Sequence, residues 1–91
     1  VSESITPIQI VEAVLFSSDT PLPGTKIAGA IGVGDARDVR KHVADLNERY
    51  VCAGSAFRIH EVAGGFQMMT LPSYNIWLAK LHKARIYTSE W

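Results

Sequence analysis

The side chains able to do chemistry in this sequence are few and scattered. His42, His60 and His82 fall on a predicted helix, a predicted strand and another predicted helix, and no two stand four apart as a helical zinc pair requires. His60 and Glu61 are neighbours in the strand, so they project from opposite faces. Cys52 is the single cysteine. It excludes an internal disulfide, fits a reducing compartment, and reads as a side chain buried at a helix end. Gly32 and Gly34 open a dinucleotide-like spacing, but Arg37 stands in the place of the third glycine and no strand precedes them. No serine lies in a nucleophile elbow, and no carboxylate pair stands apart from ordinary helix-surface acids. These residues point away from an enzyme, a metal centre or a cofactor site.

The elements that carry them can be read from period and punctuation. Thr6 as cap and Pro7 at the first helical position predict a helix over residues 6–17, with Ile8, Val11 and Leu15 on one face. Ser18-Asp19-Thr20-Pro21 ends it. A short helix over 24–31 is bracketed by Pro23-Gly24 and Gly32, with Ile27, Ala30 and Ile31 facing inward. Asp35 caps a third helix, 35–52, whose buried stripe is Val39, Val43, Leu46 and Tyr50. The period then changes to two. Phe57 and Ile59 alternate with Arg58 and His60, Ala63-Gly64-Gly65 reads as the tight turn, and Phe66 to Thr70 returns, giving a hairpin over 56–71. Pro72 stops it, Ser73 caps a fourth helix over 73–85, and Tyr74, Trp77, Leu78 and Leu81 supply its apolar stripe. The expected architecture is mainly helical, α+β: a winged helix-turn-helix of three helices, a two-stranded wing and a fourth helix, in one domain over residues 1–91. Leu22 is the candidate for a short third strand.

A winged helix raises the question of DNA, because the third helix of such folds often enters the major groove. Here that helix carries Arg37, Arg40, Lys41 and Arg49 against Asp35, Asp38, Asp45 and Glu48, and the wing tip carries no base. The whole chain has nine basic and nine acidic side chains, a net charge of zero. By segment the charge is −2 over residues 1–34, zero over 35–72 and +2 over 73–91. A DNA reader needs a surplus on the recognition helix to neutralise phosphates. Lys80, Lys83 and Arg85 form the one basic stretch and read as helix-end cations. No run approaches the roughly 20 apolar residues of a membrane span, and no secretory signal pattern is evident.

The anomaly is apolar. The composition is ordinary for a globular domain, 47% apolar and 20% charged, but the first helix has two apolar faces. Ile10 and Val14 lie roughly 200° and 240° around the axis from Ile8, away from the Val11 and Leu15 stripe. Ala13 and Phe16 occupy the far side. Either the other helices enclose this helix or a partner covers its second face. Ile86, Tyr87 and Trp91 pose the same alternative: they pack back on the core or dock on a neighbour. Ile10, Val14, Ile86, Tyr87 and Trp91 are therefore the candidate partner contacts.

The run Ile10-Val11-Glu12-Ala13-Val14-Leu15-Phe16 followed by Pro21-Leu22 resembles the opening of the segregation and condensation protein B family. So does Leu46-Asn47-Glu48-Arg49-Tyr50. Glu61-Val62-Ala63-Gly64-Gly65-Phe66-Gln67-Met68, with Thr70, Pro72 and Tyr74, is similar to that family's hairpin and the start of its fourth helix. The likeness runs from about Thr6 to Leu81. It implies a non-enzymatic, cytoplasmic and nucleoid-associated subunit of the bacterial SMC–kleisin complex, acting in chromosome condensation and segregation during cell division. The implied partners are a second copy in a homodimer, the kleisin subunit (segregation and condensation protein A) and the SMC ATPase, with no cofactor, no membrane and no sequence-specific nucleic acid. The family's second winged helix is absent from these 91 residues, so the resemblance implies an N-terminal-domain piece. The alternative from another class is a winged-helix DNA-binding transcription regulator using the third helix and the wing.

Overall fold

The helix starts are built from side chains that satisfy their first orphan N–H groups. In the computed structural model, which describes residues 4–81, Thr6 Oγ1 accepts from Gln9 N while Gln9 Oε1 accepts from Thr6 N at 2.9 Å. This reciprocal box opens helix α1 (Pro7–Ser17). Helix α2 (Gly24–Ile31) ends at Gly32, whose φ of 92° is left-handed. Asp35 accepts from the N–H groups of Arg37 and Asp38, and Asp38 Oδ2 accepts from Asp35 N at 2.9 Å. A second box thus starts helix α3 (Ala36–Ala53), and Gly54 ends it.

The three helices enclose one core. Val11 and Leu15 of α1, Ile27 and Ala28 of α2, and Val39, Val43, Leu46 and Tyr50 of α3 are buried, and Ile59 and Phe66 close it from the hairpin. Ala28, not Ala30, is the inward alanine of α2; Ala30 is exposed. The inward face is centred between Ile27 and Ala28, close to Ile31, which leaves Ala30 roughly 110° around the wheel from its middle. Cys52 is exposed as well, a departure from the burial expected of it. It stands two residues after Tyr50, roughly 200° around α3 from the buried stripe.

Strands β1 (Phe57–Val62) and β2 (Gly65–Thr70) pair antiparallel, from Phe57 opposite Thr70 to Val62 opposite Gly65. The two turn residues are Ala63 and Gly64, with φ of 52° and 79°, the positive angles of a tight hairpin turn. Gly65 lies in the strand and its lack of a side chain has another cause. A Cβ there would sit 2.7 Å from the carbonyl carbon of Leu22. Leu22 N donates to Phe66 O at 2.9 Å and Phe66 N donates to Leu22 O at 2.7 Å, so Leu22 adds a one-residue third strand to the sheet. The fold is a winged helix.

After β2 the chain makes a single 3-10 turn, Pro72–Tyr74, and then helix α4 (Asn75–Leu81). Ser73 therefore sits inside the turn and does not cap the helix, because Tyr74 N donates back to Leu71 O. The apolar stripe expected to be buried on α4 is not: no α4 residue is buried, and Trp77 and Leu81 are 62% and 74% exposed. Among the described residues the helix packs mainly against the 3-10 turn that precedes it. His82, Lys83, Arg85, Ile86, Tyr87 and Trp91, with the expected continuation of the fourth helix to 85, lie outside the described residues.

Candidate protein-interaction surface

The position of a DNA-reading helix is held by α3, and the chemistry of its bases decides what that helix can do. The Arg40 guanidinium makes a two-pronged pair with Glu61 on β1, at 2.9 and 3.1 Å. It also stands 5.4 Å over the ring of Phe66. The Arg40 guanidinium holds the Glu61 carboxyl below the usual carboxylate range, and Glu61 in turn raises the pKa of Arg40. Arg37 pairs with Asp35 at 3.3 Å, and the backbone N–H of Asp38, with Arg37, lowers the pKa of that cap. Two of the four bases of the helix thus face carboxylates of the same fold. On the hairpin, Arg58 turns back to donate to the carbonyls of Ser55 and Phe57. Phosphate oxygens would have to displace these partners.

The outer surface of α1 has a different character. Glu12, the one ionisable residue of the helix, accepts from the Tyr50 hydroxyl at 2.6 Å. Burial, reinforced by this carboxylate, pushes the Tyr50 hydroxyl well above its ordinary pKa. The Tyr50 ring meets Phe57 edge-on, with centroids 4.7 Å apart. Glu12, Tyr50 and Phe57 so fix α1 against the end of α3 and the start of β1. Beside this joint Phe16 stands 79% exposed. It separates two open apolar depressions of about 240 and 230 Å³, both floored by Phe57 and Met68. The first reaches Leu15 and Met69, the second Gln9 and Ala13.

Of the candidate contacts read from the sequence, Ile10 and Val14 lie together and half-buried on the opposite flank of the Val11–Leu15 stripe from Phe16. Ile86, Tyr87 and Trp91 lie outside the described residues. Phe16, Ile76, Trp77 and Leu81 are more exposed than Ile10 or Val14 and were not among the candidates. The signal for Phe16 was its place on the far side of the helical wheel. His42 and His60 are both half-buried, on α3 and β1, and among the described residues no three His, Cys, Asp or Glu side chains converge as metal ligands do. No described helix is long and apolar enough to cross a membrane.

A winged helix whose third helix is neutral together with its cap Asp35, and whose first helix has an apolar outer face, fits a protein binder better than a DNA reader, and sequence comparison gives the lineage. The family model of segregation and condensation complex subunit ScpB matches residues 9–89. The chain belongs to the ScpB family. Segregation and condensation protein B of Syntrophotalea carbinolica is 36% identical over 76 residues, 84% of this chain and 38% of that protein. The protein of the same name from Symbiobacterium thermophilum is 40% identical over 63 residues, 69% of this chain and 28% of that one. The chain thus spans well under half the length of these ScpB relatives. Among solved structures, a conserved hypothetical protein from Chlorobium tepidum superposes with a TM-score of 0.75 at 28% identity, over 82% of this chain and 47% of that one. A dimer of an ScpB N-terminal domain complexed with an ScpA peptide superposes at 0.72 with 25% identity, over 81% of this chain and 91% of that one.

Proposed function

We propose that this chain is a non-catalytic interaction module of the bacterial SMC–kleisin complex. It self-associates and helps to hold the kleisin subunit and the SMC ATPase together during chromosome condensation and segregation in cell division, in the cytoplasm on the nucleoid. The observation that carries this reading is the combination on one small domain: α3 neutral when its cap Asp35 is counted, with Arg37 and Arg40 facing carboxylates, and α1 open to solvent at Phe16. Family membership supports it, and so does the related N-terminal domain crystallised as a dimer with an ScpA peptide. The two flanks of α1, Phe16 on one and Ile10 with Val14 on the other, offer separate contacts for two partners. Ile86, Tyr87 and Trp91, which lie outside the described residues, remain proposed partner contacts on the sequence alone.

The test is the mass in solution by light scattering across a dilution series, followed by titration with a kleisin segment. A dimer that dissociates on dilution is expected, with kleisin binding to it. A strict monomer at high concentration that also ignores the kleisin segment would overturn the reading.

A further inference from the structure

Two apolar surfaces of the described chain match each other, and each stands open to solvent. One is the groove between α1 and the hairpin, walled by Phe16 and floored by Phe57 and Met68. The other is α4, where Trp77 and Leu81 stand one turn apart, with Ile76 beside them, all more than half exposed. We propose that the groove of one copy receives α4 of a second copy, and the reverse, in a two-fold exchange. The inference rests on the self-association proposed above and names the surface that performs it.

Three observations select this occupant. The first is shape: an amphipathic helix laying anchors at i and i+4 into an apolar groove is a recurrent recognition mode, and Trp77 and Leu81 have that spacing. The second is charge. Glu12 lines the groove and α1 carries no base, whereas the one charge on α4 is Lys80. The third is area. The solvent-exposed parts of Phe16, Ile76, Trp77 and Leu81, counted over both copies, come to roughly 1,000 Å², about the least that a specific interface buries. An exchange about a two-fold axis uses each surface twice and leaves no open end on which a fibre could grow.

The experiment places cysteines on the two surfaces of separate chains. With Cys52→Ser in both, one chain carries Phe16→Cys and the other Trp77→Cys; they are mixed, oxidised with diamide and run on a non-reducing gel. A cross-linked heterodimer is expected, formed in preference to either homodimer. In parallel, Trp77→Glu with Leu81→Glu, both exposed and so compatible with folding by circular dichroism, is expected to weaken dimerisation at least tenfold by light scattering. A dimer that survives that double substitution and gives no link between positions 16 and 77 overturns the groove assignment and leaves self-association standing. A link formed inside one chain that carries both cysteines, with the mass of a monomer, overturns it too, because α4 then fills its own groove. An unsubstituted chain that stays monomeric at high concentration removes both the assignment and the dimer.

Discussion

Gly65 is where the hairpin and the loop before α2 come closest. Its neighbour Phe66 exchanges both backbone hydrogen bonds with Leu22, and a methyl group on Gly65 would stand within 3 Å of three backbone atoms of Leu22. No side-chain rotation relieves that clash, because the atoms met are backbone. Gly65→Ala is expected to destabilise the chain by about 1–3 kcal/mol in urea unfolding, and to speed exchange of the Leu22 amide hydrogen. Tyr50 carries a different dependence. Burial and its bond to Glu12 raise its hydroxyl pKa above the ordinary 10.0, so the folded state favours the neutral phenol. That stabilisation is complete below about pH 10 and is lost as the pH climbs toward the raised folded value. Tyr50→Phe is expected to cost about 1–2 kcal/mol at pH 7 through the lost hydrogen bond, and to flatten the fall of Tm above pH 10 relative to the unsubstituted chain.

Helix α3 shows which parts of the architecture a sequence displays and which it hides. Its cap Asp35 and its stripe of Val39, Val43, Leu46 and Tyr50 are local signals, each readable within a few residues, and the structure has them all. Leu22 as a strand residue was legible from the fold type. Asn47 was not. Its Nδ2 donates to Ile59 O at 2.9 Å and its Oδ1 accepts from Ile59 N at 2.8 Å, so the side chain pairs with β1 as another strand would. Nothing in helical period marks a polar residue for such a role, because the partner lies twelve positions away. Asn47→Ala leaves both Ile59 groups without this partner and is expected to cost about 1–3 kcal/mol, measured by urea unfolding. Helix α4 failed in the other direction. Amphipathic spacing established that Tyr74, Trp77 and Leu81 share a face but not what the face meets, and on this chain it meets solvent. The surplus of apolar residues on α1 was likewise legible, while the flank that opens depends on where Tyr50 and Phe57 lock the helix.

Across the whole molecule, charge separates the two uses of a winged helix. The chain is neutral, and neutrality alone would allow a basic face balanced by an acidic one. The structure removes that possibility for much of α3. Arg40 is held by both oxygens of Glu61, Arg37 by Asp35, and Asp45 and Glu48 are exposed on the same helix. A phosphate approaching α3 meets carboxylates as well as guanidinium groups already occupied. Each phosphate contact that a base makes releases counterions and adds about one unit to the salt slope of binding, so a chain that offers few free bases should show a shallow slope. The expectation is duplex DNA affinity no tighter than the non-specific range of roughly 10⁻⁶–10⁻⁴ M near physiological salt, with weak dependence on salt and on sequence, measured by fluorescence anisotropy. Glu61→Gln tests the cause. It frees Arg40 and leaves the chain with a charge of +1, so the slope should steepen by about one unit and no more. Sub-micromolar binding with a steep slope in the unsubstituted chain would make α3 a reading helix after all, and the paired arginines would then be its resting state.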